Sequence, residues 1–235
     1  MNTKSDFLVR LKSQKERFSK DILYRFLNPV ERTWVKSVFK DFFIYESDDS
    51  SEYRRVYVSD IETNPDFNIT YLCAKYDDDT ITHRDILGAL TSLGIERNVF
   101  GDILITKSHI YIQVDAIMTD YVLELHQIKR DFVYFEVVTN LPDKSEEKVE
   151  TILLSLDSLR VDALVAKAFK LNRESVKALI DQEKIKINFI PVQKYTIICK
   201  PYDIILVRGF GRIRLVELLG ESKKQKTRIK CELLR

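Results

Sequence analysis

The last third of the chain places two short amphipathic helices, an alternating strand and a glycine-flanked turn in close succession, and this order constrains the fold most. In residues 158–167 and 172–180 apolar side chains recur at helical spacing. Residues 184–188 then alternate Lys with Ile, which is typical of a strand with one buried side. We therefore predict that both helices bury one face. That face consists of Leu164, Val165, Val176, Leu179 and Ile180.

Charge is distributed unevenly along the chain. The overall net charge is +2, but basic residues are in excess in residues 151–235, which hold 18 Lys and Arg against 9 Asp and Glu. Residues 1–150 hold the remaining 20 basic residues against 27 acidic ones. A basic module of this size suits a phosphate backbone, which the acidic remainder repels. The charge pattern therefore predicts an RNA-binding face in the C-terminal part of the chain.

Spacing groups the cations of this basic part by face. Two cations four residues apart share one face of the second helix. Two lysines alternate with isoleucines on the following strand, and two arginines flank glycines that let the backbone approach a phosphate closely. A solvated basic surface is the alternative interpretation. The RNA-binding candidates from these patterns are Arg173, Lys177, Lys184, Lys186, Arg208 and Arg212.

The order of these pieces resembles the S4-like (αL-type) RNA-binding domain, in which two helices present Arg and Lys to folded RNA. The resemblance covers residues 151–235. Two positions depart from it: Asn172 stands where Ser is frequent as a helix cap, and Glu183 stands where a glycine with positive φ is usual. The second departure predicts a weakened or reshaped turn before Lys184. The helix residues that the resemblance places against RNA are Arg160, Lys167, Arg173 and Lys177.

The N-terminal region has the pattern of a small helical subdomain. Apolar residues recur at helical spacing in two segments, and an alternating strand follows an acidic loop. Asn28 suits the N-cap of the second helix and Pro29 its first turn. We therefore predict a helical subdomain over residues 1–64. Its predicted elements are helices over residues 4–20 and 30–45 and a strand over residues 55–59.

Residues 65–140 show strand and helix patterns in the order βαββαβ. This is the split arrangement of ferredoxin-like and RRM-like folds, so the chain as a whole is predicted to be α+β. The RRM aromatic signature is missing around Tyr111, which is predicted to lie at a sheet edge. It either stacks a base or, as we favour, is a packed or half-exposed aromatic. The predicted strands cover residues 68–76, 102–106, 109–114 and 132–138, and the helices cover 82–93 and 118–128.

The middle region also contains a distinctive string, THRDILGALTSLGIERNVFGDI, at residues 82–103. Together with FLNPVE at residues 26–31 and RGFGR at residues 208–212, it is similar to the bacterial YlmH-like family over nearly the whole chain. Members of that family join an N-terminal α/β region to a C-terminal S4-like domain. The resemblance implies association with the ribosomal large subunit and tRNA, in rescue or quality control of stalled translation. It also brings a link to cell division, for which the sequence itself has no specific feature.

Most of that string has a structural interpretation. The remaining residues, His83, Arg84 and Asp85, either contact RNA or a partner protein, or serve in capping and ion pairing, which we favour. His83 and Arg84 are therefore secondary RNA-binding candidates. The expected structural roles are helix capping by Thr82 or Asp79, close backbone approach at Gly88 and Ala89, helix termination at Gly94, and a turn at Gly101 and Asp102.

Catalysis and metal binding are not predicted. His83, Asp85 and Asp102 are residue types that serve in acid-base catalysis. No Ser or Cys, however, occurs in a recognisable nucleophile-elbow motif. The acidic run at residues 77–79 lacks the ligand spacing of a calcium loop. The three histidines are scattered singly. We therefore expect no catalytic residue, no cofactor and no metal.

Cysteine usage and hydropathy indicate a cytoplasmic protein. Cys73, Cys199 and Cys231 are odd in number and too far apart for a disulfide framework or a paired zinc motif, so we expect them to be reduced and structural. No run approaches the roughly 18 apolar residues of a membrane span, and the N-terminus has no apolar signal region. We expect no contact with a membrane.

These patterns together predict a non-enzymatic protein of the bacterial cytoplasm that recognises structured rRNA or tRNA by shape and charge. The alternative is a protein-interaction adaptor linked to cell division. In that case the acidic N-terminal region binds a partner protein, and the basic end tethers the complex to RNA. An RNA-modifying enzyme is the third and weakest hypothesis.

Overall fold

A computed structural model describes residues 4–48, 50–76, 81–142, 149–222 and 225–234. Contacts between residues divide the chain into two compact units. The first consists of residues 1–78, 89–104 and 108–144, and the second of residues 79–88, 105–107 and 145–235. Within the described residues, no helix is both long enough and apolar enough to cross a membrane.

The N-terminal part of the first unit is a three-stranded antiparallel sheet with two helices. Its helices are α1 (Lys4–Glu16) and α2 (Pro29–Val38), and its strands are β1 (Ile22–Leu27), β2 (Phe43–Glu46) and β3 (Arg54–Ser59). The strand order is β1-β3-β2, so β3 pairs with both neighbours. Helices and sheet share one core, which contains Phe7, Leu11, Tyr24, Leu27, Val35, Phe39, Val56 and Val58.

Helix α2 begins at the predicted residue. Its N-cap is Asn28, whose side chain accepts hydrogen bonds from the backbone N–H groups of Val30 and Glu31 at 2.9 and 3.1 Å. The Glu31 carboxylate accepts a hydrogen bond from the Asn28 N–H at 2.9 Å. This reciprocal capping box satisfies donors that the helix itself leaves unpaired, and Pro29 occupies the first turn.

The predicted helix over residues 30–45 is too long. Helix α2 ends at Val38, and β2 instead pairs with β3. Phe39 and Phe42 keep the apolar spacing of a helix because both pack into the same core from the turn that follows it, with 5.4 Å between ring centroids. Strand β1 is absent from the prediction, since a short apolar run does not distinguish strand from helix. The N-terminal subdomain is therefore mixed rather than helical.

The central part of the chain has the predicted βαββαβ order, which confirms the α+β class. Its four-stranded sheet has the order β5-β6-β4-β9, with β4 antiparallel to both β6 and β9. The elements are β4 (Ile69–Lys75), α3 (His83–Ser92), β5 (Phe100–Ile105), β6 (His109–Asp115), α4 (Thr119–Leu123), β7 (Gln127–Ile128), β8 (Asp131–Phe132) and β9 (Phe135–Val138).

Helix α4 is shorter than the predicted span of residues 118–128. It ends at Leu123, and β7 and β8 then form a two-stranded hairpin with Lys129 in the left-handed region at φ 56°. Val122, Leu125 and Ile128 are all buried, and they are spaced three residues apart as on one face of a helix. Of the three, Val122 lies in α4 and the other two lie beyond its end, so the apolar spacing predicts a longer helix than the one observed.

Buried polar contacts join the strands of the first unit. Arg55 Nη1 lies 3.0 Å from Asp115 Oδ1, and both residues are buried. The Asp102 carboxylate accepts hydrogen bonds from the backbone N–H groups of Glu52 and Tyr53 at 2.8 and 2.9 Å. A buried charge is stable only when it is paired in this way, so these contacts fix the acidic loop and β3 against the central sheet.

Gly101 and Gly88 have roles that differ from the predicted ones. Gly101 lies inside β5 rather than in a turn, and an added Cβ would lie 2.6 Å from Cε1 of Phe26 and 2.4 Å from Oε1 of Gln113. Gly88 is exposed on α3, where an added Cβ would meet no atom of the described residues within 4 Å. The close approach therefore occurs at Gly101, and the prediction for Gly88 is wrong. Gly94, at φ 77°, follows the end of α3 as predicted.

The second unit contains a six-stranded antiparallel sheet with two helices. Its strand order is β10-β15-β14-β13-β11-β12. The predicted apolar face of the helices is buried, since Leu164 and Val176 are fully enclosed with Ile185, Ile205 and Ile213 of the sheet. The elements are β10 (Glu150–Leu156), α5 (Val161–Phe169), α6 (Arg173–Asp181), β11 (Ile185–Ile187), β12 (Ile190–Pro191), β13 (Ile204–Val207), β14 (Gly211–Glu221) and β15 (Thr227–Leu234).

All three cysteines are buried and none forms a disulfide, which confirms their structural role. Burial raises the pKa of the Cys199 thiol to about 12 and that of Cys231 to about 11. Burial also raises the pKa of Cys73. Since the thiolate is the reactive form, burial lowers the reactivity of these thiols in the folded chain.

The two glycines give a matched pair of substitutions. We expect Gly101→Ala to destabilise the first unit by about 1–3 kcal/mol, because the new methyl group has to displace the buried Phe26 ring. Gly88→Ala should instead stabilise α3 by up to about 1 kcal/mol, because Ala loses less backbone entropy in a helix. Urea unfolding of both variants measures the difference. Equal midpoints for Gly101→Ala and the wild type would contradict the close contact.

The raised thiol pKa values predict a loss of stability at alkaline pH. A buried thiol stays protonated in the folded chain, whereas the unfolded thiol ionises near its ordinary value of about 8.5. The protonated thiols therefore contribute fully to the free energy of unfolding below about pH 8, and this contribution is lost as the pH rises toward the thiol pKa values of the folded chain. Urea midpoints between about pH 8 and pH 10 should fall more steeply for the wild type than for Cys199→Ala, Cys231→Ala. Parallel curves would contradict this prediction.

Candidate nucleic-acid interface

The exposed side of the two helices carries the expected cations. Lys167 lies on α5, Arg173 and Lys177 lie on α6, and all three are exposed. Asn172 is the N-cap of α6, and its side chain accepts a hydrogen bond from the Ser175 N–H at 2.7 Å. Because the opposite faces of both helices are buried, these cations face solvent.

Arg160 and Lys177 come together at Tyr195. The Tyr195 ring centroid lies 5.0 Å from Lys177 Nζ and 5.6 Å from Arg160 Cζ. Arg160 also donates two hydrogen bonds to Asp162, at 3.0 Å from Nε and 2.8 Å from Nη2. Asp162 is only 1% exposed, so this guanidinium compensates a buried carboxylate as well as facing the ring. Tyr195 is not among the site residues predicted from the sequence. The sequence feature that points to it is an aromatic residue directly after a cation, Lys194.

Lys184 and Arg208 are adjacent, since the Arg208 N–H donates to the Lys184 carbonyl at 2.8 Å. Arg208 begins the predicted glycine-flanked turn, in which Gly209 has φ 91°. The ring of Phe210 in this turn packs against Phe169 at the end of α5, with 5.8 Å between centroids. The turn is therefore held next to the helices.

The turn between α6 and β11 is strained at Glu183, which has φ 52°. The Glu183 N–H donates to the Ile180 carbonyl at 2.8 Å, and the Lys184 N–H donates to the Leu179 carbonyl at 2.9 Å. These bonds close the helix in the manner that favours glycine in the left-handed region. The turn therefore keeps the positive φ that is usual for glycine at this position in S4-like domains, so the expected reshaping does not occur, and the expected weakening stays a prediction.

Lys186 and Arg212 lie on the other face of the sheet. Lys186 pairs with Leu206, and Leu206 pairs with Arg212, so their side chains share one face. Their neighbours Ile185 and Ile213 are buried in the core shared with the helices. The candidates therefore do not form one surface. Arg160, Lys167, Arg173 and Lys177 form a helical face, and Lys186 and Arg212 form an outer sheet face.

The outer sheet face contains further cations besides the site residues named from the sequence. Alternation along β14 and β15 places Arg214, Arg228 and Lys230 opposite the buried residues of those strands. Arg214 Nη1 is 3.1 Å from Oε2 of Glu232 on the neighbouring strand, so that cation is paired. The signal for all three is the alternation of basic and apolar residues in the sequence.

The start of α3 shows how the middle string is used. The Asp85 carboxylate accepts hydrogen bonds from the backbone N–H and the hydroxyl of Thr82, at 2.9 and 2.5 Å. This confirms the capping interpretation for that pair, while Asp79 lies outside the described residues. Arg84, a secondary candidate beside His83, donates from Nη1 to the Gly209 carbonyl at 2.9 Å within the second unit.

Tyr111 lies on an inner strand and not at an edge, so that prediction is wrong. Strand β6 lies between β5 and β4 in the sheet, and β5 is the edge strand. Tyr111 pairs with Cys73, and the His109 ring on the same face lies 6.0 Å away. Tyr71, two residues before Cys73, shares this face. The sheet therefore has a half-buried aromatic face.

Among the residues that the structure describes, no group of three or more His, Cys, Asp or Glu is placed to hold a metal ion. The acidic run at residues 77–79 lies outside those residues. Asp85 and Asp102, the carboxylates of the acid-base set considered from the sequence, both accept hydrogen bonds from backbone N–H groups.

Comparisons with known proteins identify relatives of this chain. Residues 63–140 match the family model described as "Putative RNA-binding domain in YlmH". The chain is 30% identical over 172 residues to the Ribosome-associated protein quality control protein P2 of Bacillus subtilis (strain 168), over 71% of this chain and 66% of that protein. This alignment spans just under two thirds of the relative. A solved structure, Cell division protein ylmH from Streptococcus pneumoniae, matches with a TM-score of 0.50 and 27% identity, over 57% of this chain and 88% of that chain.

The strained turn gives a test of the second unit. We expect Glu183→Gly to stabilise this unit by about 1 kcal/mol, because glycine adopts positive φ without the Cβ clash. Glu183→Gln is the matched control, since it removes the charge and keeps the Cβ, and its stability should equal that of the wild type. Urea unfolding measures both. Stabilisation by Gln as large as that by Gly would show that charge, and not backbone strain, limits this turn.

Proposed function

This chain belongs to the YlmH-like family, and we propose that it is a non-enzymatic protein that binds structured RNA through the helical face of its second unit. The observation that carries the proposal is that the exposed sides of α5 and α6, whose other sides are buried in one core, both carry cations. Lys167, Arg173 and Lys177 are exposed there, and Arg160 joins Lys177 at an aromatic ring. Such a surface neutralises several phosphates at once and releases their counterions.

We infer that the RNA belongs to the ribosome. The curated relative is named as a ribosome-associated quality control protein, and the resemblance extends over 71% of this chain. The finer proposal is association with the large subunit and tRNA during rescue or quality control of stalled translation. Because the alignment spans 66% of that relative, its role is carried over here as a proposal.

The middle region has a different relation to RNA. Residues 63–140 contain six Lys and Arg against twelve Asp and Glu, so this region repels phosphate although the matching family model is described by RNA binding. We propose that any RNA contact here uses the aromatic sheet face of Tyr71, His109 and Tyr111, because stacking on an aromatic ring does not require positive charge. Affinity then comes from the second unit.

A protein-interaction adaptor is the second candidate function, and it accords with the cell-division name of the matching structure. The observation in its favour is the set of large apolar side chains that are more than half exposed in the first unit. Exposed apolar groups of this kind often mark protein interfaces. They are Val9, Ile61, Ile117, Tyr121, Phe132, Tyr134 and Val137.

Cosedimentation with ribosomal subunits across a salt series tests the RNA proposal. We expect the wild type to bind at low salt and to be released steeply as salt rises, because affinity from phosphate contacts falls with log salt. Arg173→Glu, Lys177→Glu should lose binding. Removing two phosphate contacts should flatten the salt slope by about two in any residual binding.

Two variants with the same change of charge serve as controls. Lys12→Glu, Lys40→Glu alters exposed residues of the first unit and should bind like the wild type. Lys186→Glu, Arg212→Glu alters the outer sheet face of the second unit and should bind more strongly than the helical variant. Equal losses of binding in all three variants would show that the net charge of the protein, and not the position of its cations, determines binding. Absence of wild-type binding at low salt would reject ribosome association and favour the adaptor.

A further inference from the structure

Tyr195 lies beside two cations of the proposed RNA-binding face, and the residue is 43% exposed. The Lys177 ammonium and the Arg160 guanidinium lie 5.0 and 5.6 Å from the ring centroid. An exposed cation–π contact contributes little to folding, so the stability of the unit does not by itself explain an aromatic ring between two cations. The arrangement does suit a ligand that combines a flat ring with phosphates.

The segment around Tyr195 is held rigidly at the start of α5. The Val161 N–H donates to the Ile197 carbonyl at 2.9 Å, and the Cys199 N–H donates to the Leu159 carbonyl at 2.8 Å. Val192 and Cys199, on either side of the loop, are buried in the core. The loop that carries Tyr195 is therefore anchored before a ligand binds, which is the advantage of a preorganised contact.

The cations beside the ring are held to different degrees. Asp162 fixes the Arg160 guanidinium with two hydrogen bonds from Nε and Nη2. Lys177 is exposed on α6 and has a long flexible side chain, so its ammonium can turn from the ring toward a phosphate. A base stacked on Tyr195 would then have one fixed and one adaptable cation near its phosphates.

We propose that Tyr195 is a stacking platform for one unpaired nucleobase, with Lys177 and Arg160 contacting the phosphates on either side of it. The inference rests on the proposed RNA-binding function and narrows its substrate class. A paired base has no open face for Tyr195, so the preferred RNA is a folded RNA that presents an unpaired nucleotide beside a helix. An uninterrupted duplex offers only the phosphates.

Binding of the full chain to two synthetic RNA hairpins tests this proposal. Both hairpins have the same stem, closed by a non-nucleotide linker in place of loop nucleotides. One of them carries a single bulged 2-aminopurine, which is then its one unpaired base and whose fluorescence falls when it stacks. The wild type should prefer the bulged hairpin and quench its fluorescence. Tyr195→Leu should weaken binding to the bulged hairpin by roughly five- to a hundredfold and leave the continuous hairpin little affected. Tyr195→Phe, which keeps the ring, should behave like the wild type.

The salt dependence separates stacking from charge. Tyr195→Leu should shift the plot of log affinity against log salt without changing its slope, because no phosphate contact is lost. Lys177→Gln should lower the slope by about one. A change of slope in Tyr195→Leu would mean that the substitution disturbs the cations instead of a base contact, and would overturn the proposal.

The remaining outcomes are also decisive. Lack of wild-type preference for the bulged hairpin overturns the stacking proposal, as does wild-type affinity in Tyr195→Leu. Equal loss on both hairpins, together with a lowered thermal midpoint by circular dichroism, assigns Tyr195 a purely structural role. None of these results affects the cosedimentation of Arg173→Glu, Lys177→Glu with ribosomal subunits, so failure of the stacking proposal is distinguishable from failure of the proposed function.

Discussion

Burial of two short helices against the six-stranded sheet determines where the cations of the second unit lie. Leu164, Val176 and Ile185 are examples of side chains that are fully buried in this core. Removal of the apolar area of each such side chain from water stabilises the fold by about 1.5–3 kcal/mol, and this burial determines which side of each helix faces the core. Lys167, Arg173 and Lys177 follow at the exposed helical positions. The strand period of two then directs Lys186 and Arg212 to the outer sheet face. One core therefore produces two separate basic surfaces.

The ion pair of Arg160 and Asp162 couples this core to the surface. Asp162 is buried, and removal of one partner from a buried pair typically costs about 3–5 kcal/mol because the other charge is left uncompensated. Arg160 is thus both a structural residue and a candidate RNA contact, and a loss of binding on its substitution would not separate the two roles. Arg173 and Lys177 have no such structural duty in the contacts described, so the RNA-binding role is better judged from them.

Local patterns in the sequence predict the elements that depend on neighbouring residues. The capping box at Asn28 and the buried helix face at Leu164 and Val176 are of this kind. Features that depend on distant residues are missed. Phe39 and Phe42 imitate a helix because they fill a common core, Gly101 is required by the Phe26 ring, and Tyr195 meets Arg160 and Lys177 only after folding. Strand order likewise moved Tyr111 from the expected edge to the sheet interior.

Phosphate contacts alone cannot explain how such a face would select one RNA. Counterion release is the same for every backbone, so Lys167, Arg173 and Lys177 give affinity and orientation without discrimination. Discrimination requires a contact that only certain RNA conformations can make, and a rigid ring among the cations meets that requirement because a paired base cannot reach it. The buried anchors Val192 and Cys199 on either side of Tyr195 therefore matter to recognition as much as to folding. They anchor the two ends of the loop that carries the ring, which lowers the entropy that is lost when a base stacks on it.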